Sequence, residues 1–160
     1  MPRTIYADVL AQRPSAKVDD YFDLTLDYGA LRVCLRASTL VAEPRPRFAI
    51  HGTAGSYLKY GLDPQEGQLK AGLDPHDPAF GIDLRRGLRT FADGSTAEVP
   101  TERGRYLTFY EGVAAAILDG APPPIDPEDA RGGLMLIDLA RRAAALGQRL
   151  PVQAASSPAG

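Results

Sequence analysis

Cysteine is nearly absent: Cys34 stands alone in 160 residues, which excludes an internal disulfide and a cysteine-rich metal site and suits a reducing compartment. An excess of either charge is missing too. Eighteen Lys and Arg face 20 Asp and Glu, and the net charge of -2 creates no field that would draw in a polyanion such as nucleic acid. No apolar run approaches the roughly 20 residues that span a bilayer. Met1-Pro-Arg3 leads into a strand-like pattern rather than a signal-peptide hydrophobic region. These absences predict a soluble cytoplasmic protein with no nucleic-acid or membrane partner. At 44% hydrophobic and 24% charged, the chain can build one core and is too short for two domains of ordinary size.

Catalytic constellations are also lacking. His51, at a strand end, and His76, in an Asp-Pro-His-Asp-Pro loop, have no third ligand at a metal-binding spacing. Gly52-Thr-Ala-Gly-Ser56 lacks the Gly-Lys-Ser/Thr ending of a phosphate loop and is followed by a strand, so it reads as a tight hairpin turn. Cys34 alternates onto the polar face of its strand with neither histidine near it, which makes it an inert thiol. Glu43, Asp63 and Glu66 fall in loops near one sheet edge and read as turn formers and solvated charges. No nucleophile is paired with a base, which argues against a hydrolase. Tyr106, at the start of a helix where a hydroxyl could reach a cleft, is the best single polar candidate.

What is present is a change of period along the chain. Thr4–Gln12, Asp20–Tyr28, Leu31–Leu40, Arg47–His51 and Ser56–Tyr60 are short and alternating, with Gly or Pro breaks, and predict a meander of strands. A hairpin with Gly29-Ala30 at its tip would pair Leu26 with Val33, Leu24 with Leu35, Asp27 with Arg32 and Asp23 with Arg36. That register puts apolar residues on one face and alternating acids and bases on the other. Gly61–Gly81 reads as an ordered loop around a helical turn at Gln65–Lys70. Arg85–Ala92 and Ala97–Pro100 read as a further hairpin with a two-residue turn at Asp93-Gly94. Tyr106, Phe109, Tyr110, Val113 and Ile117 then recur at helical spacing, a stripe that calls for a partner. Asp126-Pro-Glu-Asp129 opens a second helix with an N-cap, a first-position proline and first-turn acids. Gly147 is placed to cap its end, Arg141 and Arg142 favour that end, and Pro151-Val152 adds a last short strand. The sum is an α+β domain whose helices cover one face of a sheet and leave the other for a partner.

From Phe48-Ala-Ile-His-Gly-Thr-Ala-Gly-Ser-Tyr-Leu-Lys-Tyr-Gly-Leu-Asp-Pro-Gln-Glu66 the chain resembles the scyllo-inositol dehydrogenase-like branch of the Gfo/Idh/MocA family. The likeness extends through Ala11-Gln-Arg-Pro14, Val18-Asp-Asp-Tyr-Phe22, Gly104-Arg-Tyr-Leu-Thr-Phe-Tyr110 and the stretch from Pro124 to Gly147, so it covers nearly the whole chain. The resemblance implies an open-faced, mostly antiparallel sheet with two C-terminal helices packed on one face. It makes residues 1–153 a substrate-binding and oligomerisation domain, with 154–160 expected as a disordered tail. It also implies an N-terminal Rossmann domain, absent from this chain, that binds NAD or NADP. Of Lys17, Lys59 and Lys70 none stands in a Glu-Lys-Pro tripeptide, and no glycine triplet opens a helix after a strand. No cofactor is therefore expected on this chain, and the fragment alone is expected to lack dehydrogenase activity. By the same resemblance Tyr106 lines a sugar or polyol pocket, Ser38, Glu43 and Arg45 flank a strand end that approaches substrate, and Lys59 belongs to the signature segment. Subunits are expected to pair through the open sheet face. The competing reading is a free-standing, non-catalytic binding or dimerisation module.

Overall fold

The computed structural model describes residues 1–153, and the tail expected at 154–160 lies outside the described residues. In chain order the described residues form β1 (Thr4–Leu10), β2 (Tyr21–Asp27), β3 (Arg32–Ser38), β4 (Phe48–Gly52), β5 (Gly55–Lys59), α1 (Gln65–Lys70), β6 (Gly87–Phe91), β7 (Thr96–Val99), α2 (Tyr106–Leu118), α3 (Pro127–Leu146) and β8 (Leu150–Pro151). They divide into two compact units, Met1–Ala42 with the residues from Ile125 onward, and Glu43–Pro124.

The first unit is a four-stranded antiparallel sheet in the order β3-β2-β1-β8, with α3 packed on β1. The β2–β3 register is the one expected, with Leu26 opposite Val33 and Asp23 opposite Arg36. Tyr28 N–H closes the Gly29-Ala30 tip on Leu31 C=O at 3.0 Å. Asp23 and Arg36 meet at 2.6 Å and Asp27 and Arg32 at 2.8 Å, as the alternation requires. The core lies under the opposite face, where Ile5, Ala7 and Leu26 meet Ala140 and Ala143 of α3. Alanines at those two helix positions bring α3 close to the sheet, and Ile5 is 0% exposed as a result. The outward face presents Tyr6, Asp8, Leu10, Cys34 and Arg36, all exposed.

Helix α3 begins as its sequence dictates, because the Asp126 carboxylate accepts the Glu128 N–H at 2.9 Å and Pro127 needs no partner for a missing donor. It ends where Gly147 turns left-handed at φ 61°, a conformation that a Cβ would disfavour. Arg141 and Arg142 sit before the last turn, and Arg141 Nε instead approaches Asp19 Oδ2 at 3.7 Å.

The second unit is a separate antiparallel meander, β4-β5-β6-β7. The α+β, antiparallel class is as expected, whereas the sheet is not continuous. Pro44 and Pro46 interrupt the segment between β3 and β4, and a proline cannot donate to a ladder, so strand pairing stops there and restarts. The helices also divide differently. Helix α3 packs on β1 of the first sheet, while α2 belongs to the second unit. None of the residues of α2 is buried, and Tyr110, in the stripe expected to be covered, is 65% exposed. The Gly52–Gly55 segment is the tight hairpin expected, with Gly52 opposite Gly55. The β6–β7 connection is one residue longer than anticipated, since Thr90 pairs with Thr96 and Phe91 N–H bonds Ser95 C=O at 2.8 Å around Ala92-Asp93-Gly94.

Candidate functional site

The signature segment leaves β5 at Lys59 and passes through Asp63-Pro64 into α1, and the chain returns through Phe80-Gly81 to β6. Short hydrogen bonds hold this route in place. Gln68 Oε1 accepts the Gly81 N–H at 2.7 Å, and Arg103 Nε donates to Phe80 C=O at 2.7 Å. The loop is thus ordered by its own polar side chains, and it borders a cleft of about 630 Å³ in the second unit. Lys59, Asp63, Glu66, Asp83, Glu102 and Tyr106 are among its lining residues.

Two of the expected site residues, Lys59 and Tyr106, therefore meet at one cleft. Tyr106 is the first residue of α2 and is 42% exposed. Lys59 is only 7% exposed, and its ammonium donates to Asp83 Oδ2 at 2.7 Å, Arg85 C=O at 2.8 Å and Tyr60 C=O at 3.0 Å. An ammonium has three N–H donors, so Lys59 is fully engaged within the protein. Its position supports a conformational purpose for the signature lysine. Ser38 lies in the other unit at the end of β3, where its hydroxyl bonds Gln12 Oε1 at 2.9 Å and accepts the Leu40 N–H at 3.1 Å. Glu43 and Arg45 are exposed and are not among the residues lining the cleft.

Asp83, Gln65 and Glu102 are residues that sequence reasoning missed. The hydrogen bond from Lys59 holds the Asp83 carboxyl below its ordinary value, against the opposing effect of burial and with further help from Arg85. A hydrogen bond from Lys70 at 2.6 Å does the same for Glu66. Both stay anionic at neutral pH, which suits them to accept hydrogen bonds from hydroxyl groups and makes them weak proton acceptors in catalysis. Gln65 is 1% exposed and fully bonded. Its only mark in the sequence is its place in Asp63-Pro-Gln-Glu66.

A nicotinamide dinucleotide calls for a glycine loop running from a parallel strand into a helix N-terminus. Every strand pair among the described residues is antiparallel, and the Gly52–Gly55 turn runs from strand to strand. The described residues do not fit that group.

A family model described as the oxidoreductase family, C-terminal alpha/beta domain, matches residues 4–153. The chain is 40% identical over 145 residues to scyllo-inositol 2-dehydrogenase (NADP(+)) IolW of Bacillus subtilis (strain 168), a match that covers 88% of this chain and 40% of that protein. It is 34% identical over 142 residues to the uncharacterized oxidoreductase YdgJ of Escherichia coli (strain K12), covering 87% of this chain and 41% of that one. The solved structure of yvaA from Bacillus subtilis superposes with a TM-score of 0.91 at 36% identity, over 96% of this chain and 46% of that chain. The chain thus spans less than half the length of each of these relatives.

Proposed function

Because the chain belongs to the Gfo/Idh/MocA oxidoreductase family as its C-terminal alpha/beta domain, we propose that it is the substrate-binding and subunit-pairing part of an NAD(P)-dependent dehydrogenase acting on a sugar, polyol or related hydroxyl compound. Residues 1–153 serve as that part. NAD or NADP is held by an N-terminal Rossmann domain of the same protein and supplies the hydride chemistry, so this chain by itself is inactive. The cytoplasm is the setting that fits a lone exposed thiol, and no helix among the described residues is long and apolar enough to cross a membrane.

The observation that carries the proposal is the cleft lined by Tyr106 together with Asp63, Glu66 and Glu102. A phenol and several carboxylates present the donors and acceptors that a polyhydroxylated ligand needs, and hydroxyl recognition by polar groups discriminates strongly. The likeness to the Bacillus subtilis scyllo-inositol 2-dehydrogenase supports the same ligand class.

The test is a screen of sugars and polyols on the intact polypeptide with both nicotinamides. Turnover of a polyol is expected, with Tyr106→Phe raising KM by about tenfold at most, the worth of one neutral hydrogen bond. Failure of every polyol and sugar to turn over, or a Tyr106→Phe enzyme with unchanged KM, would refute the assignment.

A further inference from the structure

We infer that Gln65 is a positioning residue whose side chain holds the first turn of α2 and thereby sets where Tyr106 stands on the cleft. The inference rests on the proposed role of Tyr106 as a pocket residue.

A helix N-terminus leaves several backbone N–H groups without partners, and a neighbouring Ser, Thr, Asp or Asn usually supplies an acceptor. Helix α2 lacks that device. Its N-cap is Arg105, which makes no side-chain capping bond, and its first turn contains no acid. The N–H of Tyr106 is instead taken by Gln65 Oε1 at 2.7 Å, from a residue 41 positions earlier.

The orientation of the Gln65 amide is determined by its other end. Nε2 donates to Asp63 Oδ1 at 2.9 Å and to Oδ2 at 3.0 Å, and Asp63 Oδ1 also accepts the Gln65 N–H at 2.9 Å. A carboxylate accepts and does not donate, so the amide nitrogen must face Asp63 and the amide oxygen must face Tyr106. The three groups form a relay from Asp63 through Gln65 to the helix. Gly104 leaves room for it, since a Cβ at that position would overlap Gln65 Nε2 and Asp63 Oδ2. Gly104 N–H is itself tied to Gly81 C=O at 2.9 Å. Burial at 1% exposure keeps water from replacing any of these bonds.

Exchanging the two side-chain types tests the relay. Gln65→Glu places two carboxylates face to face and removes the donor to Asp63, whereas adding Asp63→Asn restores one amide and one carboxylate in reversed order. In the 160-residue chain, amide hydrogen exchange at Tyr106 is followed by NMR, and scyllo-inositol is titrated as the probe. Gln65→Glu is expected to speed Tyr106 exchange and weaken the inositol response, each by about tenfold. The Asp63→Asn/Gln65→Glu double variant is expected to return Tyr106 exchange to within about threefold of the parent, while the inositol response is read on Gln65→Glu alone because Asp63 itself lines the cleft. It also serves as the readout should Gln65→Glu alone fail to fold.

Unchanged Tyr106 exchange in Gln65→Glu, or no recovery in the double variant, overturns the inference at its structural step. Altered exchange with unaltered inositol response means that Gln65 anchors α2 without positioning a pocket residue, and overturns it as well. The expected exchange effects in the variants beside a parent chain that gives no response to inositol place the failure in the pocket role of Tyr106, and the inference falls with that role.

Discussion

Lys59 Nζ stands 2.7 Å from Asp83 Oδ2, with the two side chains only 9% and 8% exposed. The pair joins the end of β5 to the segment that enters β6. Removing one partner of a buried pair strands the other charge, which typically costs about 3–5 kcal/mol. The two removals are not equivalent here. Arg85 Nε lies 3.3 Å from Asp83 Oδ1 and still neutralises the aspartate when Lys59 is gone. Asp83→Ala is therefore expected to fall in that range and Lys59→Met below it, as measured by urea denaturation. Equal losses would mean that Arg85 contributes nothing.

Acid should weaken the same place. The hydrogen bond from Lys59 comes first among the influences that hold the Asp83 carboxyl below its ordinary value of 3.8, followed on that side by the Arg85 backbone and side chain. The folded chain therefore binds this proton less readily than the unfolded chain. The stabilisation is complete above the ordinary value and is lost as pH falls through the lower folded value. Denaturation midpoints recorded from pH 6 downward should drop more steeply for the parent than for Asp83→Asn. Parallel profiles would rule out Asp83 as a source of the acid sensitivity.

The first unit depends on a small apolar centre, and Ile5 is the largest apolar side chain fully enclosed in it. Ile5→Ala removes three carbons and leaves a cavity between β1 and α3, a change that costs about 2–5 kcal/mol. Ile5→Val should cost about 0.5–1.5 kcal/mol. Denaturant midpoints on both variants check the ratio, and a loss for Ile5→Ala no larger than that for Ile5→Val would show that α3 closes onto the space.

Local periodicity made the first unit legible. Residues 23–36 alternate so regularly that a single hairpin register satisfies both faces, and Asp126-Pro127 with Gly147 marks both ends of α3 by chemistry confined to a few neighbours. The second unit was harder because its decisive contacts are distant in sequence. Nothing near Lys59 announces Asp83, 24 residues on, and nothing near Tyr106 announces Gln65. Burial of a stripe is equally nonlocal. The spacing of Tyr106, Phe109, Tyr110, Val113 and Ile117 marked a helix, but it carried no information on whether residues within this chain would cover that helix. Of the expected site residues, helical and strand patterning placed Tyr106 and Lys59 at element ends that line the cleft, whereas Glu43 and Arg45 are not among its lining residues and Ser38 belongs to the first unit.

The outward face of the first sheet should carry the proposed subunit contact. Thr25 lies between Tyr6 and Cys34 in one cross-strand row of that face, so a charge there would meet a partner without entering the core. Thr25→Arg is expected to shift a dimer to monomer by light scattering while leaving the unfolding free energy of the monomer within about 0.5 kcal/mol, the usual range for surface substitutions. A parent chain that is monomeric at high concentration would count against the contact.

The last expectation concerns the nicotinamide. Tight dinucleotide binding uses a row of unpaired backbone N–H groups at a helix N-terminus to hold the pyrophosphate. The first N–H of α2 is already taken by Gln65 Oε1, and that of Glu128 in α3 by the Asp126 carboxylate, whose negative charge would also repel a phosphate. Lys59, which could otherwise have met a phosphate with its ammonium, has all three donors engaged. Titrating the 160-residue chain with NADH or NADPH, followed by fluorescence or calorimetry, should therefore give no saturable binding. Micromolar affinity for either dinucleotide would move the cofactor site onto this chain.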